Sequence, residues 1–321
     1  MEPLSHRLID EASAYLEGKV KRTPVERSEP LSKLLDRPVW MKLENRQTTG
    51  SFKVRGAMFA LYRARLDGAD RVAACSAGNH GKGLAFAGRE LGVGVVIYVP
   101  AGVDPSKLSA MRGLGAEVHV SEFPGFDESE ALALEEAERH GIPYISAYDN
   151  PLVMAGNGGT IADEVAIQVS EARSFVMPAG GGGHAAGFAF RMESLRAGCS
   201  FILCQHAGCP ALRLSMQTGE AVRRMPPVET LASGLEGGFG ENTFSVLRNR
   251  VTQICESDER SLRQAMAWMY REHGLRIEGS SAVAVAALLS GNEIMGEGEV
   301  VLFVSGGNID DSAFDSVIAG G

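Results

Sequence analysis

Basic residues, paired cysteines and long apolar runs are all scarce in this chain of 321 residues. Aspartate and glutamate (40) outnumber lysine and arginine (31), so the formal net charge is −9, which argues against nucleic acid as a partner. The five cysteines are odd in number and contain no CxxC pair, which argues against a disulfide framework or a structural zinc site. The N-terminus has no hydrophobic signal region and no run of about 18 apolar residues occurs, so we expect a cytoplasmic protein without membrane contact.

Lysine is especially scarce, since arginine supplies 24 of the 31 basic residues. A reaction that needs a lysine amine therefore has seven candidates: Lys19, Lys21, Lys33, Lys42, Lys53, Lys82 and Lys107. Glycine, by contrast, is abundant at 39 residues, clearly above the usual share of about 7%. These two residue types direct the search for a functional site.

Short apolar runs alternate with helical patterns from residue 70 onward, which is typical of parallel sheets covered by helices. Strands are predicted over 71–75, 95–99, 117–120, 144–146, 174–177, 201–205 and 300–304. Helices are predicted over 83–91, 107–114, 128–140, 160–170, 185–197, 259–273 and 281–289. We therefore expect an α/β protein. Its length suggests two such units, with a boundary near Asn150-Pro151 because an X-Pro step is extended or turn-like.

Three glycine-rich loops follow predicted strands: SAGNHG at 76–81, AGGGGH at 179–184 and SGGN at 305–308. Successive glycines let backbone N–H groups converge on an anion, and a helix that follows adds its positive N-terminal dipole. The four consecutive glycines of the second loop predict a cradle for a phosphate or a carboxylate, with a tight turn as the plainer alternative. No Walker A motif, GxSxG serine motif or GxGxxG dinucleotide motif accompanies these loops.

Lys53 lies in the segment GSFKVRGA, where apolar Phe52, Val54 and Ala57 flank it inside a predicted helix. Lysine is rarely buried without a partner, and burial favours the neutral amine, which can act as a nucleophile or a base. An exposed helix lysine is the alternative when Lys53 is taken alone. Lys82, in the first glycine-rich loop, is its main rival.

A lysine amine, a phosphate cradle and polar groups at strand ends together suggest pyridoxal phosphate (PLP) as cofactor. The chain resembles the threonine/serine dehydratases and serine racemases, a branch of the fold type II (tryptophan synthase β-like) PLP enzymes. The motifs that carry the resemblance are ENRQTTGSFKVRGA at 44–57, SAGNHG at 76–81, GGGG at 180–183 and SGGN at 305–308.

The resemblance implies a homodimer of two-domain chains, in which each domain is an open, mostly parallel sheet flanked by helices. The large PLP-binding domain would cover residues 1–65 and 151–321, and the small domain would cover residues 66–150.

The resemblance also implies roles for individual residues. Lys53 would form the Schiff base with PLP and act as the base, while Asn79 would bond the 3′-oxygen and Ser305 would meet the pyridine nitrogen. The full set implied to bind the cofactor is Phe52, Lys53, Asn79, Gly180, Gly181, Gly182, Gly183, His184, Gly240, Glu278, Ser305 and Gly306. The set implied to bind the substrate carboxylate is Ser76, Asn79 and His80.

The implied reaction converts L-threonine, L-serine or a similar β-hydroxy amino acid to a 2-oxo acid and ammonia. Racemases of this family carry a second serine where this chain has Ala77, which cannot transfer a proton, so we expect a dehydratase. Residues 205–211 lack the two carboxylates with which several relatives bind a divalent cation, so we expect no metal there. The alternatives are a serine racemase, a dehydratase specific for 3-hydroxyaspartate or phenylserine, and a non-catalytic PLP-binding protein.

Overall fold

Nine strands are found in the computed structural model, which describes residues 2–291 and 293–320. In chain order they are β1 (Val25–Arg27), β2 (Val39–Leu43), β3 (Arg71–Cys75), β4 (Gly94–Val99), β5 (Glu117–Val120), β6 (Ala172–Pro178), β7 (Ser200–His206), β8 (Val251–Ser257) and β9 (Glu299–Val304). The larger sheet has the order β1-β2-β9-β6-β7-β8 and the smaller sheet has the order β3-β4-β5. All neighbouring strands are parallel except β1 and β2.

Helices cover both sheets. They are α1 (His6–Leu16), α2 (Glu29–Leu35), α3 (Lys53–Leu66), α4 (Asn79–Leu91), α5 (Pro105–Gly113), α6 (Phe126–His140), α7 (Pro151–Met154), α8 (Thr160–Gln168), α9 (Gly183–Leu195), α10 (Ala211–Thr218), α11 (Glu241–Leu247), α12 (Glu259–His273), α13 (Gly279–Leu289) and α14 (Asp311–Ala319). A π-helical segment, Ala155–Gly159, joins α7 to α8. No helix within the described part of the chain is long and apolar enough to span a bilayer.

The central strands are buried on both faces, as expected for a parallel sheet covered by helices. In β9, every residue from Val300 to Val304 is fully buried. One face of the larger sheet packs mainly against α12 and α13, and the other packs against α8 and α9. A separate core lies between α1, α3, α4 and the smaller sheet. The α/β class and the mostly parallel sheets are therefore confirmed.

One predicted strand is nearly absent. Residues 144–146 contribute a single parallel bridge, between Tyr144 and Ala73, and the carbonyl of Ile145 lies 3.1 Å from His80 Nε2 instead of continuing the ladder. The sequence pattern also missed β1 and β8, which are short or partly exposed, and the buried β2, whose apolar residues are interrupted by Lys42. The proposed domain boundaries stay a prediction, and the outer residues of that proposal, Met1 and Gly321, lie outside the described residues.

The three glycine-rich loops follow the carboxyl ends of β3, β6 and β9. The first and second loops lead directly into α4 and α9, and α3 begins at Lys53 itself. A long irregular segment from residue 219 to residue 240 lies beside the second loop, where the carbonyl of Gly234 approaches Gly180.

Candidate active site

Lys53 is the first residue of α3, and its amine donates a hydrogen bond to the main-chain carbonyl of Ala147 (2.8 Å). Burial lowers the pKa of this amine to about 8, and the nearby Glu278 carboxylate opposes part of the shift. A pKa near 8 leaves roughly a tenth of the amine uncharged at neutral pH. The structure therefore supports a reactive amine at Lys53 rather than an exposed helix lysine.

The third glycine-rich loop lies directly against the lysine segment. The N–H of Phe52 donates to the carbonyl of Ser305 (3.1 Å), and Ser51 forms a β-bridge with Gly306. The Ser305 hydroxyl lies 2.9 Å from the Ser281 hydroxyl. These contacts hold the start of α3 and the end of β9 together, although Lys53 and Val304 are 251 residues apart in the chain.

The first glycine-rich loop is held by one serine. Ser76 Oγ accepts hydrogen bonds from the main-chain N–H groups of Gly78 (3.2 Å) and Gly81 (3.1 Å). Its own hydroxyl hydrogen remains available to a ligand. The N–H groups of Asn79 and His80 lie in the first turn of α4, where no helical carbonyl can accept them. Together these donors form a site suited to a carboxylate.

His80 is buried and neutral, because burial and the nearby Lys53 lower its pKa to about 3. Its Nε2 lies 3.1 Å from the main-chain carbonyl of Ile145. A carbonyl only accepts, so the single ring hydrogen is on Nε2 and the ring has no N–H left for a carboxylate. The substrate contact implied for His80 would therefore come from its main-chain N–H.

The second glycine-rich loop packs tightly against neighbouring residues of the chain. Gly182 has φ of +90°, in the left-handed region that favours glycine. A Cβ atom on any glycine of 180–183 would overlap Gly234, Tyr148 or Phe239. Close packing therefore explains much of the glycine run. No described side chain caps the first turn of α9, so its N–H groups are left for an anion.

Gly240 lies beside this second loop. Its N–H donates to the carbonyl of Gly181 (3.4 Å), and the hydroxyl of Thr243 donates to the same carbonyl (2.8 Å). Asp149 in turn accepts from the main-chain N–H of Thr243 (3.0 Å). Gly240 therefore supports the cradle through α11.

His184 extends from the second loop into the core. Its ring stacks on Phe52, with centroids 4.5 Å apart, and meets Phe303 edge-on at 5.4 Å. Neither ring nitrogen has a hydrogen-bond partner among the described residues. Burial and the nearby Lys53 and Arg55 lower the pKa of His184 to about 3, so the ring is neutral. The side chain packs as an apolar group would.

Glu278 connects the first and third loops. Its Oε1 accepts from Asn79 Nδ2 (2.7 Å) and from the Ser280 hydroxyl (2.8 Å), and its Oε2 accepts from the main-chain N–H of Asn308 (3.1 Å). Burial raises the pKa of the Glu278 carboxyl group, while these hydrogen bonds oppose the rise. The structure thus brings Glu278, Asn79 and the SGGN loop into one cluster.

Several residues of this cluster were not singled out from the sequence. Ser281, the Ala147 carbonyl and Tyr148 belong to the site through tertiary contacts alone, and their sequence context offers no motif. Lys82 was named only as a rival amine. Its ammonium donates to the side-chain oxygen of Asn308 (3.0 Å), within the same cluster as Glu278.

Comparison with known proteins agrees with this geometry. The model of the family described as pyridoxal-phosphate dependent enzyme matches residues 16–306. The chain belongs to this family.

Two curated relatives extend over nearly the whole chain. The L-threonine ammonia-lyase of Geobacter sulfurreducens is 36% identical over 99% of this chain and 79% of its own length. The catabolic L-threonine dehydratase of Escherichia coli is 33% identical over 96% and 94%. Among solved structures, maize serine racemase is 25% identical, covers 99% of this chain and 98% of its own, and has a TM-score of 0.91. The fold is thus that of the fold type II PLP enzymes.

The residues present fit PLP, the cofactor of this family. The uncapped start of α9 can hold a phosphate, and Lys53 supplies an amine with a lowered pKa. Buried polar atoms also lack partners here, namely Ser51 Oγ and His80 Nδ1. Within the described residues, no group of three or more histidine, cysteine or acidic side chains could hold a metal ion, and the expected absence of a metal stays a prediction.

Proposed function

We propose that this chain is a PLP-dependent ammonia-lyase that converts L-threonine and L-serine to a 2-oxo acid and ammonia. The observation that carries the proposal is the amine of Lys53, with its lowered pKa, beside a carboxylate site and an uncapped helix start. The names of the curated relatives support the same substrate class. A homodimer and a cytoplasmic location stay predictions.

When bound, PLP takes up the electron pair left at the substrate Cα after proton removal. Lys53 Nζ would hold the cofactor covalently, and once freed it would accept the Cα proton. The first turn of α9, including the N–H groups of Gly183 and His184, would bind the cofactor phosphate. Phe52 would pack on the cofactor ring.

Substrate binding would depend on the first glycine-rich loop. The Ser76 hydroxyl and the main-chain N–H groups of Asn79 and His80 would hold the α-carboxylate. That contact would orient the substrate Cα–H bond toward Lys53 Nζ. A Cβ atom at Gly306 would overlap Glu278 Oε1, so a larger residue there would displace this carboxylate.

Ser305 would meet the pyridine nitrogen with a neutral hydroxyl. The Ser281 hydroxyl donates its single hydrogen to the Gly306 carbonyl (2.7 Å), so the Ser305 hydroxyl is the donor toward Ser281 Oγ (2.9 Å) and would turn its hydrogen to the nitrogen when PLP is bound. A hydroxyl does not hold that nitrogen protonated as a carboxylate would. An unprotonated pyridine ring would withdraw less electron density from the substrate Cα. This favours rapid loss of the β-hydroxyl group over a long-lived carbanion, which agrees with elimination.

The absence of a second acid-base group at Ala77 separates the dehydratase from the racemase interpretation. Racemisation needs a proton donor on the face of Cα opposite to Lys53, and a methyl group cannot supply one. We therefore expect 2-oxo acid release from L-serine to exceed D-serine formation by a wide margin.

A panel of β-hydroxy amino acids tests the proposal. We expect ammonia release from L-threonine and L-serine, and loss of both ammonia release and the visible cofactor band in Lys53→Ala. The exposed Lys33 provides the matched control, and Lys33→Ala should retain both signals. Preference for 3-hydroxyaspartate or phenylserine would replace the proposed substrate, and no turnover of any member would contradict the dehydratase assignment.

A further inference from the structure

Four side chains of the site form one continuous hydrogen-bonded chain. The Lys82 ammonium donates to Asn308 Oδ1 (3.0 Å), and Asn308 Nδ2 donates to Asn79 Oδ1 (2.7 Å). Asn79 Nδ2 then donates to Glu278 Oε1 (2.7 Å). The chain connects a cation in α4 with a buried carboxylate before α13 and passes through two amides.

The two ends fix the direction of every bond. An ammonium group can only donate and an ionised carboxylate can only accept. Asn308 Nδ2 also donates to the carbonyl of Thr49 (2.8 Å), which cannot donate in return. Both amides are therefore held in one of their two possible orientations. A flip of either amide would place two donors, or two acceptors, opposite each other.

This orientation matters for Asn79. Its Nδ2 carries two hydrogens, and only one is used by Glu278. The second hydrogen remains for a ligand, whereas a flipped amide would present an acceptor oxygen to the same position. A PLP site needs a donor there if Asn79 is to bond the 3′-oxygen.

The burial and the charged neighbours of the Lys82 ammonium also favour a positioning role. This ammonium is only partly buried, and its pKa is lowered by burial while Glu278 opposes the shift. Among the described residues, Lys53 and Lys107 also interact electrostatically with Glu278. Because the Lys82 amine is already engaged with Asn308, it is poorly placed to compete with Lys53 for the cofactor.

We propose that Lys82 is a positioning residue, which acts through Asn308 to hold the Asn79 amide with its donor hydrogen toward the cofactor. The proposal rests on the proposed function only in that the site holds PLP. It assigns Lys82 no contact with the substrate and no covalent role.

The test compares purified holoenzymes, first by the cofactor absorption spectrum without substrate and then by steady-state kinetics with L-threonine. Lys82→Met removes the donor while keeping a long side chain, and Lys82→Gln keeps an N–H donor. We expect Lys82→Met to shift the visible absorption maximum of the bound cofactor, and to lower kcat/KM for L-threonine about tenfold, mainly through kcat. Lys82→Gln should stay within about twofold of the wild type, and exposed Lys33→Met should match the wild type in both measurements.

Asn308→Asp tests the chain at its centre. This substitution keeps the size but replaces the donor that faces Asn79 and Thr49 with an acceptor. The same spectral shift as in Lys82→Met is expected, so the proposal remains testable if one of the two variants fails to fold.

Two outcomes would overturn the proposal. An unchanged cofactor spectrum in both variants would show that Lys82 does not act on Asn79. An unchanged spectrum with a raised KM alone would instead place Lys82 in contact with the substrate side chain. The spectrum of the resting enzyme is read without any substrate, so its result does not depend on whether L-threonine is turned over.

Discussion

Burial at single residues determines the protonation of the site. The pKa of the Lys53 amine is lowered to about 8, and those of the His80 and His184 rings to about 3, in each case mainly because the charged form loses its hydration. A partly neutral amine can accept a proton, while two neutral rings do not compete with it for a negatively charged ligand.

His184 gives a prediction about stability and pH. Its pKa of about 3 in the folded state is below the value of about 6.5 in the unfolded state. Between these values the unfolded state binds more protons, so the free energy of unfolding rises with pH and is lost as the pH falls from about 6.5 toward 3. Each such histidine contributes a slope of about 1.4 kcal/mol per pH unit.

We therefore expect His184→Leu to reduce this slope by about 1.4 kcal/mol per pH unit between roughly pH 4 and pH 6. Urea unfolding of the holoenzyme at several pH values measures it, with the wild type as reference. His80 should still contribute its own slope in the variant. Parallel curves for the two proteins would mean that His184 gains no proton on unfolding in this range.

At the scale of elements, three helices meet around the active site with unusually close main chains. The segment Ala155–Gly159 is π-helical, so its turns are wider than those of an α-helix. Asn157 in this segment accepts a hydrogen bond from the N–H of Gly56 in α3 (2.8 Å). The segment therefore joins α3, which carries Lys53, to the start of α9.

Gly187 is a sensitive position of this junction. A Cβ atom there would overlap the carbonyl oxygen of Met154, which is main chain and cannot rotate away. We expect Gly187→Ala to lower the free energy of unfolding by about 1–3 kcal/mol, because α9 must move away from the π-helical segment.

Gly113→Ala is the matched control for Gly187→Ala. Gly113 lies in α5, and a Cβ atom there would meet nothing within 4 Å. Alanine should therefore be neutral or stabilising by up to about 1 kcal/mol, since glycine is the poorer helix former. Denaturant unfolding measures both variants, and equal stability of the two would argue against tight packing at the junction.

At the scale of the whole molecule, four buried or half-buried charged side chains form one network around Arg55, two residues after Lys53 in α3. Arg55 donates to Glu44 Oε1 (2.8 Å) and Oε2 (2.9 Å) and to Glu164 Oε1 (2.7 Å). Lys42 pairs with the other oxygen of Glu164 and donates to the carbonyl of Thr23 (2.9 Å). Two cations and two carboxylates balance, and they connect β2, α3 and α8.

We expect Glu44→Gln to lower the free energy of unfolding by about 3–5 kcal/mol, because Arg55 would be left with reduced compensation in a buried position. The double variant Glu44→Gln with Arg55→Met should cost less than the sum of the two single substitutions. A double-mutant cycle from denaturant unfolding measures this coupling. Strict additivity would contradict a shared network.

The amino-acid sequence was enough to establish the α/β class and the PLP cofactor, and it predicts Lys53 as the reacting lysine. The local period of the apolar residues predicts which segments are strands and which are helices. Motifs that are contiguous in the chain, such as GSFKVRGA and SAGNHG, can be recognised without knowledge of the fold. Because the chain has only seven lysines, the search for the lysine that would bind PLP came down to Lys53, with Lys82 as its rival. Edge strands such as β1 and β8 were not predicted, because a partly exposed strand does not need a continuous run of apolar residues.

How these motifs act together depends on contacts that exist only in the folded chain. The tertiary structure assigned the Lys82 amine to Asn308, and it showed that the ring of His80 has no donor left for a carboxylate. It also explained the four glycines largely by close contact with neighbours such as Tyr148. Hydrogen bonds and burial depend on residues far apart in the chain, so a lysine's partner and a histidine's protonation are properties of the folded molecule rather than of its local sequence.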